Sequence, residues 1–124
     1  MSVSLRRGHS ILGTLKRLKH SECATFLQFL DDRGVELLCR IIHYVLNGEI
    51  PLKKVVKSTL KRRIKRHLEQ FRRLATPPQK PRDIRKKRVI LQKGGIVGVI
   101  SAIASLVAPI LGQLIASRSG RRRR

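Results

Sequence analysis

The residues with the clearest capacity for chemistry in this 124-residue chain are lysines and arginines, and they are concentrated in one segment. Residues 51–95 contain 17 basic and 2 acidic side chains, whereas residues 1–50 contain 7 and 5. Solvated protein surfaces usually mix both signs, so this excess indicates a polyanionic partner: nucleic acid, an anionic lipid surface or an acidic protein. We predict phosphate contacts, which add affinity through counterion release. The cations assigned to these contacts are Lys53, Lys54, Lys57, Lys61, Arg62, Arg63, Lys65, Arg66, Arg72, Arg73, Arg85, Lys86, Lys87 and Arg88.

The same composition favours binding without base recognition. Aromatic residues make up only 3% of the chain, which disfavours single-strand binding by base stacking. No helix carries a base-reading set of Asn, Gln and Arg that stands apart from the general Lys/Arg excess. We therefore expect a nucleic acid as the partner, held through its phosphates. DNA and RNA both stay open because lysine contacts the phosphates of both, and a site-specific regulator is the weaker alternative.

Residues for metal binding or catalysis are sparse. His20 and Cys23 are three positions apart and Cys39 and His43 four, so each pair would share a helix face and could supply two zinc ligands. Cysteine is also a common core residue, and we expect no metal and no cofactor. No Ser/His/Asp set, paired carboxylates or phosphate-binding loop is present, which predicts a non-enzymatic protein. The basic N-terminal segment has no apolar core of signal-peptide type, so both thiols are expected to be reduced.

A second chemical feature is an uncharged stretch of 21 residues, 96–116, with basic residues on both sides. At 1.5 Å rise per residue, a helix of this length is long enough to cross a bilayer. Gly98, Pro109, Gly112 and Gln113 weaken that helix. The sequence leaves three interpretations open: a transmembrane span, a membrane-active peptide, or an apolar segment that self-associates within an assembly.

The elements that must position these residues are all predicted to be helical. We expect an all-α chain with an N-terminal bundle (1–50), a long basic helix packed on it (51–75), a basic linker (76–95), a hydrophobic tail (96–117) and an Arg-rich end (118–124). Periodicity predicts helices over 10–20, over a short apolar stretch capped by Ser21, over 35–46 as the buried centre of the bundle, and over 52–75. Asp31 or Asp32 would cap the third of these helices, and Asn47-Gly48 would end it.

The border between the cations and the tail reads QKGGIVGVISAIASLVAPILGQLIA. A basic run, a Gly-Gly step and an Ile/Leu/Ala/Pro tail resemble the precursor of the adenovirus core protein X (mu). Most of the chain is similar to the small basic proteins of Maverick/Polinton elements and adintoviruses. The likeness rests most specifically on the Ile50-Pro51-Leu52 step and on Gln92-Lys93-Gly94-Gly95.

This resemblance implies a virion core or minor capsid protein that condenses double-stranded DNA, in the virion and the host nucleus. It also implies cleavage after Gly95 by a viral cysteine protease, which favours Met, Ile or Leu at the position held here by Gln92. Two adjacent glycines disfavour a stiff helix, so we expect Gly94 and Gly95 to form an extended site or hinge. The tail would contact membrane or capsid, and a homo-oligomer is compatible with the pattern. The rival function is a membrane-anchored or membrane-active protein that binds anionic lipid.

Overall fold

The computed structural model describes residues 2–76 and 81–122, and within these ranges the regular structure is entirely helical. The all-α prediction is therefore confirmed. The helices are α1 (Ser2–Arg17), α2 (His20–Phe29), α3 (Asp32–Leu46), α4 (Lys54–Lys65), α5 (Leu68–Ala75), α6 (Pro81–Leu91) and α7 (Gly94–Arg122). The predicted Arg-rich end from residue 118 falls partly in α7 and partly, at residues 123 and 124, outside the described residues.

Side-chain hydrogen bonds mark the start of α2 and of α3, and a glycine turn marks the end of α3. The Glu22 carboxylate accepts the Lys19 backbone N–H at 2.9 Å, so α2 begins before Ser21, and the prediction of Ser21 as its cap is wrong. Asp31 caps α3 by accepting the Gly34 backbone N–H at 3.0 Å. After α3 the chain turns through Gly48, whose φ of +71° favours glycine. Asp31 and Gly48 therefore match the expected start and end of this helix.

The basic region predicted as one helix over 52–75 is two helices. The break lies at Arg66 and His67, where the His67 backbone leaves the helical region with φ −130° and ψ 34°. Before the break, Leu60 and Ile64 are the buried residues of α4, and after it Phe71 and Leu74 are those of α5. Because α4 packs on α7 while α5 packs on α3, one straight helix could not serve both partners.

The uncharged segment 96–116 lies within α7, and its buried side chains form much of the core of the bundle. The buried side chains of α7 between residues 96 and 111 belong to the same core cluster as side chains of α1, α3, α4 and α5, and α7 packs most extensively against α1. The expectation of a separate N-terminal bundle with α3 at its centre and an appended tail is corrected, because α3 shares the centre with α7. The α7 side chains that are at most 7% exposed are Ile96, Val97, Val99, Ile100, Ile103, Ala104, Val107, Ala108 and Leu111.

Candidate nucleic-acid interface

The outward face of α4 is a dense array of exposed cations. Only Leu60 and Ile64 of this helix are buried, so the turns between them direct their lysines and arginines to solvent. In the part of the chain that the structure describes, no ion pair or hydrogen bond joins a side chain of this array to a carboxylate. The array is therefore available for external anions. We call these residues the α4 cationic face, consisting of Lys53, Lys54, Lys57, Lys61, Arg62, Arg63, Lys65 and Arg66, all of them exposed.

The cationic face continues more thinly onto α5. Arg72 and Arg73 are exposed, but Arg73 Nη2 lies 3.0 Å from Glu69 Oε1, one helical turn away. Both side chains are mostly in solvent, where such pairs contribute little to stability. An incoming phosphate can therefore compete with Glu69 for Arg73. On α6, Arg85 and Lys86 are exposed as well.

Lys87 of α6 is not on the surface, in contrast to its predicted role. Its side chain is 6% exposed, and its ammonium group donates to the backbone carbonyls of Leu74, at 3.0 Å, and Thr76. These carbonyls belong to the C-terminal end of α5, where the helix leaves acceptors without internal donors. A lysine at this position satisfies them and also complements the negative end of the helix dipole. We therefore remove Lys87 from the set of phosphate-contacting residues.

Arg88 has an equivalent function at the end of α2. Its guanidinium donates to the carbonyls of Gln28, at 3.1 Å, and Leu30, and its Nη2 lies 2.8 Å from Asp32 Oδ1. One side chain thus joins α6 to the corner between α2 and α3. The Arg88 side chain is only 22% exposed and is engaged by four groups, so we also remove Arg88 from the set of phosphate-contacting residues. Sequence offered no signal for this, because the carbonyls that it caps lie about 60 residues away.

Gly94 and Gly95, the predicted cleavage site, form the first turn of α7 and do not form an extended hinge. Here the expectation from glycine flexibility is wrong, because packing of Ile96 and Val97 into the core holds the turn in helical form. The His67 ring lies beside the exposed Gly95: an added Cβ would lie 2.9 Å from His67 Cε1. Cleavage after Gly95 remains a prediction, and it would require this turn to unwind.

Among the described residues, α7 is the one helix that contains a stretch with the length and hydropathy of a membrane span. This stretch is Gly95–Ala116, its mean hydropathy is 2.2, and half of it is buried against other helices. Core helices of compact bundles share these properties, so length and hydropathy alone do not place α7 in a bilayer. Its outward positions carry Ser105, Pro109 and Gln113, which are the exposed residues at its centre.

The four residues considered for zinc do not assemble into a site. Within the described ranges, no group of three or more His, Cys, Asp or Glu residues is positioned to hold a metal ion. The Cys23 thiol donates to the Leu15 carbonyl at 3.4 Å, as expected of a core residue. Burial raises the pKa of the Cys39 thiol to about 12, which disfavours the thiolate that zinc requires. His20 is exposed, and His43 contacts Asn47 one turn further along α3.

The candidate interface is thus the exposed cationic helix α4, which packs on the uncharged core helix α7, and further exposed cations lie on α5 and α6. Such a surface can neutralise a line of phosphates. Comparison with protein-family models, with curated proteins and with solved structures finds no match to this chain.

Proposed function

We propose that this protein is a non-enzymatic, sequence-independent binder of double-stranded nucleic acid that condenses DNA through its phosphates. The observation that carries the proposal is the α4 cationic face, whose eight cations have no carboxylate partner among the described residues. Like charges one turn apart destabilise a helix by a few tenths of a kcal/mol per pair. A polyanion lying on the face removes that repulsion.

The dimensions of α4 suit a duplex backbone. Its 12 residues extend over about 18 Å at 1.5 Å per residue. With both strands counted, a DNA duplex carries one negative charge per roughly 1.7 Å of axis, so about 18 Å of duplex carries about ten phosphates, about five on each strand. The cationic face can therefore neutralise several phosphates at once. Lysine and arginine contacts to phosphate position a protein on DNA without reading its sequence.

The resemblance to the Maverick/Polinton and adintovirus proteins suggests where this protein would bind DNA. It rests on the Ile50-Pro51-Leu52 step and on the Gly94-Gly95 border. We propose a virion core or minor capsid protein that accompanies DNA in the virion and the host nucleus. Cleavage after Gly95 would remove α7, and with it the main packing partner of α1. We therefore infer that the intact chain is the folded DNA-binding form and that cleavage, where it occurs, dismantles it.

The test is a salt series on the full chain with random-sequence duplex DNA. We expect log K to fall with log salt with a slope of about −5 or steeper, which corresponds to at least six phosphate contacts. Duplexes of different sequence should bind equally. A shallow slope, or a strong preference for one sequence, would contradict the proposal. Duplex RNA and anionic vesicles are parallel arms, and binding to vesicles alone would favour the membrane function.

A matched pair of double variants assigns the binding to the α4 cationic face. Lys54→Gln with Arg63→Gln removes two cations from that face, whereas Lys16→Gln with Arg40→Gln removes two exposed cations from α1 and α3. Net charge falls equally in both. We expect the first pair to reduce the magnitude of the salt slope by about 2 and the second to leave it unchanged. Equal effects would mean that overall charge, not this face, determines binding.

A further inference from the structure

An apolar cleft lies between the C-terminal end of α3 and the side of α4. Its volume is about 360 Å³, and its apolar lining includes Leu46, Leu52, Leu60, Ile64 and Leu68. The cleft is open because α4 packs on α5 and α7 and not closely along α3. Leu60 and Ile64 are almost fully buried at its base, while Leu68 is 38% exposed at its edge. The accessible hydrocarbon surface of the cleft therefore comes from Leu46, Leu52 and Leu68, which are only partly buried.

A row of lysines borders this cleft. Lys57, Lys61 and Lys65 follow one another at four-residue intervals, so they stand on one side of α4 over about 12 Å. All three are exposed, and the residues that line the cleft include no carboxylate. A phosphate backbone would use these lysines but leave the leucines unused. Apolar floor and cationic border together call for a ligand with a hydrocarbon part and a negative head.

The volume decides between two kinds of anionic amphiphile. An acidic amphipathic helix is 10–12 Å across with its side chains, so a 12 Å length of it occupies roughly 900–1,400 Å³. The cleft has less than half of that volume. It falls instead at the lower end of the 300–1,000 Å³ range of small-molecule pockets. A single alkyl chain fits where a helix does not.

We propose that the cleft between α3 and α4 binds a free long-chain carboxylate, of the fatty-acid class. The alkyl chain lies between Leu46, Leu52 and Leu68, and the carboxylate reaches the lysine row. The cleft shares Lys57, Lys61 and Lys65 with the α4 cationic face, but the two proposals can be tested apart, since fatty-acid binding depends on the apolar lining and DNA binding does not. If the cleft does not bind a fatty acid, the proposal of DNA binding is unaffected, and if the protein does not bind DNA, the proposal of fatty-acid binding is unaffected.

The experiment is calorimetric titration of the full chain with dodecanoate below its micelle concentration. Butanoate has the same head with a short chain, and dodecyltrimethylammonium has the same chain with the opposite charge. We expect saturable binding of dodecanoate at one site and no measurable binding of the other two. From octanoate to dodecanoate, affinity should rise about fourfold per methylene, as burial of about 0.8 kcal/mol each requires.

Two exposed positions separate this site from general attraction of anions to a polycation. Leu68→Gln should weaken dodecanoate roughly fivefold and leave duplex DNA affinity unchanged. Lys61→Gln should weaken it by up to about fivefold. Lys54→Gln, which removes an equal charge outside the cleft, is the control and should change it less than twofold. Because Leu68, Lys61 and Lys54 are exposed, these variants are expected to fold, and circular dichroism verifies this.

Three results would overturn the proposal. Affinity that does not depend on chain length would mean that the carboxylate binds the charge alone. Equal losses for Lys54→Gln and Lys61→Gln would remove the cleft from the explanation. Binding to anionic vesicles without saturable binding of free dodecanoate would identify a membrane surface, not a single amphiphile, as the ligand.

Discussion

The cations of the α4 cationic face and the Lys87–Arg88 pair of α6 are the same residue types and serve different purposes. Every lysine and arginine of α4 is exposed, whereas Lys87 and Arg88 of α6 donate to the carboxyl ends of α5 and α2. The difference is one of location: α6 passes two helix ends that lack donors, and α4 passes none among the described contacts. Charge in a sequence therefore identifies a cationic segment, but neighbouring backbone determines which cations remain available for a partner.

The largest effect should come from the interior of α7, the core helix on which α4 packs. Ile103 is fully buried, so Ile103→Ala should lower the free energy of unfolding by about 2–5 kcal/mol. Ser105→Ala, two residues away and exposed, should change it by less than about 0.5 kcal/mol. Urea unfolding followed by circular dichroism measures both. Equal stability of the two variants would mean that α7 is not part of the core.

Lys86 and Lys87 test the comparison most directly, because they are neighbours with opposite environments. Lys87→Met removes the donor from the Leu74 and Thr76 carbonyls and should cost about 1–3 kcal/mol of stability. The salt slope of DNA binding should stay unchanged. Lys86→Met should do the reverse, with stability within about 0.5 kcal/mol and the slope reduced in magnitude by about 1. Similar behaviour of both variants in both assays would refute the distinction.

The interior next to Lys87 also predicts a dependence of stability on pH. Burial raises the pKa of the Cys39 thiol to about 12, with Lys87 opposing the shift, whereas an unfolded cysteine titrates near 8.5. Between these values the unfolded chain loses the proton first, so stability is fully present below about pH 8.5 and falls as pH rises towards 12. At pH 9.5 the loss should be about 1 kcal/mol.

Urea midpoints at pH 7.5 and 9.5 measure this loss, with Cys39→Ala as the control. Lysine titration affects both proteins equally, so the difference between their pH dependences belongs to Cys39. Parallel curves would show that the thiol is not buried in the folded state. A steeper fall of stability with pH for the natural protein would confirm that the Cys39 thiol lies in an interior that disfavours charge. The ammonium of Lys87 is tolerated nearby because backbone carbonyls accept its hydrogen bonds.

Much of the fold, and part of the candidate interface, could be predicted from local sequence. The Asp31 cap, the Gly48 turn and the exposure of the α4 cations follow from side-chain chemistry and from a spacing of four between Leu60 and Ile64. The break at His67, the internal roles of Lys87 and Arg88, and the core position of α7 depend on contacts between distant segments. Periodicity carries no information about such contacts, and an uncharged helix has the same composition whether lipid or other helices surround it.

The smallest predicted effect separates inner and outer positions within one helix, α1. An alanine Cβ at Gly13 would meet no atom within 4 Å, so Gly13→Ala should raise the free energy of unfolding by about 0.4–1 kcal/mol. At Gly8 the new Cβ would lie 2.6 Å from Ile41 Cδ1, the end of a buried side chain. Gly8→Ala gains the same helical preference but must displace Ile41, so its stability should fall below that of Gly13→Ala. Urea unfolding measures the stability of the two variants. Equal gains would mean that Ile41 of α3 does not pack against Gly8 of α1 as closely as the 2.6 Å approach indicates.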